Sequence, residues 1–136
     1  MLAVGEHMLG GLSPECTRMA TGFAGGVGST QQELCGALSG GVLVISGLLG
    51  RTDSTQSDQL ALDLVADYRR RFLAELGATQ CARLRETAVH GPDGLGSCAV
   101  LVERAAGILL VLLSEAPLDT SQLKRRLRAP TVDDKA

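Results

Sequence analysis

The chain has 136 residues, a formal net charge of −2 and an isoelectric point near 5.6, with 45% apolar and 21% charged residues. That balance excludes a largely disordered chain, and the length suits one domain with a single core. The acidic balance, with one Tyr, two Phe and no Trp, excludes the basic footprint and stacking aromatics of nucleic-acid binding and leaves Leu, Val, Ile and Ala to fill the core.

The first segment, Leu2 to Leu9, reads as a helix that stops at Gly10-Gly11. Its opening, Met1-Leu2-Ala3-Val4-Gly5-Glu6, has no basic n-region and meets an acid early, which argues for a cytoplasmic protein. Ser13-Pro14-Glu15 supplies an N-cap, a first-turn proline and a first-turn acid for a helix to about Thr21, with Cys16 in its first turn. The stretch Gly22 to Ser29 holds too many glycines for a regular element. It is also no phosphate loop, since no lysine follows its last glycine and no strand precedes it.

Thr30-Gln31-Gln32-Glu33 fits a capping box and predicts a helix from there to about Gly50, placing Cys35 just past its first turn. The charge-free run from Leu34 to Gly50 falls short of the ~20 mostly apolar residues that cross a bilayer, so a buried helix is expected and no membrane. Gly36, Ala37, Gly40, Gly41 and Gly47 fall on neighbouring turns, where missing side chains let another backbone approach at a helix cost of up to about 1 kcal/mol per glycine.

Arg51 to Gln59 reads as a loop, after which Leu60, Leu64, Tyr68, Phe72 and Leu76 mark the inner face of a helix ended by Gly77. Thr79 is placed to cap a short helix from Gln80 and Cys81 that fails before His90-Gly91-Pro92-Asp93-Gly94. Ser97 caps another that starts at Cys98 and is apolar on most sides, which predicts a central position. Asp119 to Leu127 predicts a last, basic amphipathic helix, whose Lys124-Arg125-Arg126 with Leu123 and Leu127 could dock a partner, and residues 129–136 a flexible tail. The expected architecture is all-α: one bundle of five or six helices over residues 1–128, centred on the Leu34 to Gly50 and Ala99 to Leu113 helices.

The four cysteines, Cys16, Cys35, Cys81 and Cys98, form no CxxC pair, so neither a zinc ribbon nor a thioredoxin motif is spelled out. In a reducing compartment such cysteines are buried, catalytic or metal-binding. The cap readings put all four at or near helix starts, where free N–H groups and the dipole favour thiolate. His7 and His90 stand alone, and no Ser-His-Asp or paired-carboxylate set is present.

The stretch Ala20-Thr21-Gly22-Phe23-Ala24-Gly25-Gly26-Val27-Gly28, followed by Cys35-Gly36-Ala37-Leu38-Ser39-Gly40-Gly41, resembles the core signature of the CGAxxG redox-active proteins, the C_GCAxxG_C_C family. In that family a cysteine follows a glycine-terminated helix, as Cys81 follows Gly77, and a last cysteine precedes an apolar helix, as Cys98 precedes Leu101-Val102. The resemblance covers roughly Ala3 to Leu113 and implies Cys35, Cys81 and Cys98 as the working set, close to Gly25, Gly26, Gly36 and Gly40 as candidate cofactor-contact positions.

The family's first cysteine, in an Asn-Cys-Ala motif ahead of Leu2-Ala3-Val4, has no counterpart. Either the start is set too far downstream or this member uses three family cysteines, and Cys16, one helix later, is not a substitute. The leading expectation is thiol–disulfide exchange with an unidentified redox partner, which requires no cofactor. A second is an iron–sulfur cluster or zinc module completed by Cys16, His7, His90 or a second subunit in a homodimer, with no metal ligands assigned. A third is a helical scaffold with packed cysteines.

Overall fold

The computed structural model describes residues 2–119 and Ser121. Apart from Asp119 and Ser121, the helix expected over Asp119 to Leu127 and the tail lie outside the described residues. Among the described residues six α-helices follow in chain order: α1 (Leu2–Leu9), α2 (Pro14–Ala20), α3 (Gly36–Leu49), α4 (Gln59–Leu76), α5 (Cys81–Leu84) and α6 (Cys98–Glu115). A 3₁₀ turn, Thr21–Phe23, extends α2, and a π turn, Arg85–Val89, continues α5. Among the described residues the only β pairing is an isolated antiparallel bridge between Leu34 and Gln80.

Most ends form for the reasons the sequence supplies. Gly10 and Gly11, at φ +73° and +136°, end α1. The Ser13 hydroxyl accepts from the Cys16 N–H at 3.2 Å ahead of Pro14, and the Ser97 hydroxyl accepts from the Val100 N–H at 3.3 Å. Gly77, at φ +84°, closes α4 by donating its N–H to the Leu73 carbonyl.

Helix α3 is the main departure, beginning at Gly36 with Cys35 as its N-cap residue rather than at Thr30. Gly25, Gly26, Val27, Gly28 and Ser29 all hold φ near +60°, the left-handed region that no right-handed helix can use. The Thr30 hydroxyl donates back to the Gly26 and Val27 carbonyls, each at 3.0 Å, and so lies within this turn instead of opening a helix. Thr79 is similarly diverted, its carbonyl accepting the Cys35 N–H at 2.8 Å, while Gln80 holds the cap position of α5 without a side-chain bond.

The core lies where α3, α4 and α6 pack against one another, with α1 laid against α3. Leu38, Val44, Ile45 and Leu48 of α3 meet Leu64, Tyr68, Phe72 and Leu76 of α4 and Leu101, Ala105, Leu109 and Leu112 of α6. Two expectations need correction. Leu60 is 41% exposed and Ala61 is buried in its stead, because the inward stripe is set by Leu64, Tyr68 and Phe72. Helix α6 is central on one side only, since Val102, Leu110 and Val111 stay exposed.

The glycines of α3 have separate partners. A Cβ on buried Gly41 would overlap the Tyr68 ring, and one on Gly47 would sit 3.4 Å from Leu9 Cδ1 of α1. With the ring seated there, the Tyr68 hydroxyl shares its proton between the Ala105 carbonyl at 3.3 Å and the Ala37 carbonyl at 3.4 Å, joining α4 to both α6 and α3. Burial pushes the phenol well above its ordinary value and a charged Cys35 would add to that, so Tyr68 stays a neutral donor. Arg71 pairs with Glu115 at 2.8 Å and Asp67 at 3.1 Å, tying α4 to α6.

Gly41→Ala is expected to cost about 1–3 kcal/mol by overpacking, and Tyr68→Phe about 1 kcal/mol by losing its hydrogen bond. Urea unfolding measures both. An unchanged midpoint for Gly41→Ala would mean that the ring is not seated against this glycine.

Candidate functional site

Two segments with little regular structure are held together by their backbones. The Cys35 N–H donates to the Thr79 carbonyl at 2.8 Å, and the Cys81 N–H to the Glu33 carbonyl at 2.9 Å. The Ala82 N–H reaches the Gln31 carbonyl at 2.9 Å, and the Gln80 side-chain amide the Gln32 carbonyl at 2.8 Å. Leu34 and Gln80 are thus a directly opposed antiparallel pair, with Cys35 and Cys81 each one residue further along. Successive side chains of an extended segment alternate faces, so Cys35 and Cys81 share the face opposite Leu34 and Gln80. Diagonal pairs of this type stand roughly 7–8 Å apart at Cα, with Cβ atoms closer, so a disulfide between them requires the two segments to draw together.

Cys35 and Cys81 are buried, while Cys98, the first residue of α6, and Cys16 are exposed. A cavity of about 690 Å³ is lined by Cys35, Cys81 and Cys98 together. Its wall is largely apolar, including Leu2 and Val4 of α1, Phe23, Leu43 of α3, Leu84, and Leu101 and Val102 of α6. Cys16, His7 and His90 are not among its lining residues. Among the described residues, no group of three or more His, Cys, Asp or Glu is placed to hold a metal ion.

The glycines shape this cavity. Gly25, Gly36 and Gly40 line it, and Gly26 packs directly on Cys81. A Cβ on Gly26 would collide with Cys81 Cβ and lie 3.2 Å from its Sγ. On Gly36 a Cβ would stand 3.3 Å from the Phe23 carbonyl oxygen, so the glycine loop rests on the start of α3.

The expectation that helix starts favour thiolate does not hold at Cys35. Burial pushes this thiol up, outweighing the lowering by hydrogen bonds from the Ala37 and Leu38 backbone, and charge on Cys81 or Cys98 would push it further the same way. Desolvation wins because the whole residue is only 9% exposed.

Arg85 is the lining residue that inspection for cysteines and glycines overlooked. The signal was available, since on a helix opening at Cys81 a residue four positions later returns to the same face.

Fold and site define a class: a small all-α protein in which cysteines from three separate segments open onto one apolar cavity. The family model described as "Putative redox-active protein (C_GCAxxG_C_C)" matches residues 1–112, and the chain belongs to this family. No curated protein and no solved structure matches it.

The raised Cys35 value has a readable sign. A buried thiol that keeps its proton contributes stability that is complete below the ordinary thiol range and is lost as pH climbs through the raised folded value. Iodoacetamide is therefore expected to modify Cys35 in the folded protein at least about tenfold more slowly at pH 8 than in urea-unfolded chain, because burial both holds the proton and restricts access. The gap should narrow as pH rises through the raised folded value. Equal rates at pH 8, read by mass spectrometry of the Cys35 peptide, would contradict the burial argument.

Proposed function

We propose that the protein is a thiol–disulfide redox carrier in which Cys35 and Cys81 form the reversible pair and Cys98 is the accessible sulfur beside them. The observation that carries this reading is the backbone bridge that puts Cys35 and Cys81 on one face of one cavity. Membership in a family described as redox-active supports the general role. Thiol exchange needs two sulfurs only, whereas a cluster or zinc site needs a larger donor set than the described residues gather.

The chemistry balances within the pair. One cysteine loses its proton, and its thiolate attacks an incoming disulfide, forming a mixed disulfide and releasing one substrate sulfur as a thiolate. The second cysteine, also deprotonated, attacks the protein sulfur of that mixed disulfide and expels the remaining substrate sulfur. The protein gives up two electrons and two protons, and the substrate leaves as two thiols. Because Cys35 is protonated at neutral pH, its entry into this sequence is slow until a neighbouring base or the substrate itself changes its surroundings. Exposed Cys98 is better placed to make the first contact with a partner.

Oxidation of the reduced protein with diamide is expected to remove two of its four titratable thiols, the loss disappearing in Cys35→Ser and in Cys81→Ser and persisting in Cys16→Ser. Cys98→Ser should slow the reaction by about tenfold or more without changing its extent. Retention of all four thiols in the wild type, or their loss only through Cys16, would sink the proposal.

A further inference from the structure

The cavity has a chemistry of its own beyond the sulfurs. Its volume of about 690 Å³ falls in the range of small-molecule sites, roughly 300–1,000 Å³. Cys35 and Cys81 line it although they expose only 9% and 8% of their surface. A small molecule inside the cavity lies against both groups, whereas the surface of a folded partner meets mainly its exposed lining, such as Leu2, Phe23 and Val102.

The lining residues are apolar except for the cysteines, Thr17 and Thr21, whose hydroxyls donate to the Ser13 and Thr17 carbonyls, and a single charged residue, Arg85. Neighbouring Arg83 pairs with Glu86, but Arg85 makes no ion pair among the described residues. An exposed arginine without an ion pair, bordering an apolar wall, fits a ligand with an apolar body and one carboxylate. Two thiols sharing a face fit a ligand that carries a disulfide.

Resting on the thiol-exchange reading, we infer that the cavity binds a small apolar carboxylate bearing a disulfide, with its carboxylate on Arg85 and its sulfurs against Cys35 and Cys81. Lipoate is the simplest probe of this class. In the exchange the ligand's S–S bond breaks as the Cys35–Cys81 bond forms and draws residues 35 and 81 together. Two electrons and two protons pass from the protein thiols to the ligand, which leaves as the dithiol; the reverse reaction starts from oxidised protein and dihydrolipoate.

Binding and exchange are tested separately. Octanoate has the carboxylate and the apolar chain but no disulfide, so it reports occupancy alone. In titrations of the reduced full chain followed by amide NMR, octanoate is expected to bind saturably, with shifts at Gly25, Gly36 and Arg85, and Arg85→Gln should weaken it about tenfold or more. Lipoate and dihydrolipoate mixed with the protein should reach one thiol–disulfide balance from both directions, at least tenfold faster than glutathione disulfide at equal concentration, because the latter is polar and multiply charged.

Failure of octanoate to bind, or binding unaffected by Arg85→Gln, would overturn the cavity assignment while leaving diamide oxidation of the pair intact. Binding without lipoate exchange would overturn the substrate assignment, and if diamide also failed to join Cys35 to Cys81, the thiol-exchange reading would fall with it.

Discussion

The short antiparallel bridge between residues 31–35 and 79–82 is the constraint on which the site depends. Neither segment has a regular element to hold it across most of that length, and each alone would leave backbone donors and acceptors without partners beside an apolar cavity. Pairing them satisfies both at once, since buried peptide groups are costly to leave unpaired. It also determines where α3 and α5 begin. Cys35 becomes the N-cap residue of one helix and Cys81 the first residue of the other, facing the same space.

The glycine loop before this bridge is what allows the two segments to meet. Five consecutive residues at φ near +60° reverse the chain within one turn. Val27, Ser29 and Gln31 adopt positive φ without being glycine, at a cost on the order of 1 kcal/mol or more each. Backbone bonds from Gly28 to Gly22, Ser29 to Ala24 and Gln31 to Gly25, at 2.7–2.9 Å, offset that strain. The tightness has a further use, because the backbone at Gly26 lies directly against Cys81, where any side chain would displace the sulfur.

Two electrostatic influences compete at Cys35. The start of α3 offers backbone donors to a thiolate, and burial withdraws the water a thiolate needs. Burial is the larger influence, so the deep sulfur rests as a neutral thiol while the exposed sulfur of Cys98 remains open to solvent. Burial thereby shields Cys35 from indiscriminate oxidation, which tracks thiolate character and exposure.

The sequence by itself determined the helices whose ends are local events: Ser13 and Ser97 as caps, Gly10 and Gly77 as stops, and the apolar stripe from Leu64 to Leu76. It also identified, by motif order, the family and the three cysteines worth following. It could not locate the start of α3, because a capping-box pattern at Thr30 is a local preference that long-range bonds from residues 79–82 and the left-handed turn override. The partner of each glycine was equally hidden: Gly41 accommodates Tyr68 and Gly26 accommodates Cys81, residues dozens of positions away. Convergence of Cys35, Cys81 and Cys98 on one cavity, the presence of Arg85 in its wall, and the victory of burial over the helix start at Cys35 were decided only by tertiary structure. Desolvation depends on everything packed around a group, and no window of neighbouring residues contains that information.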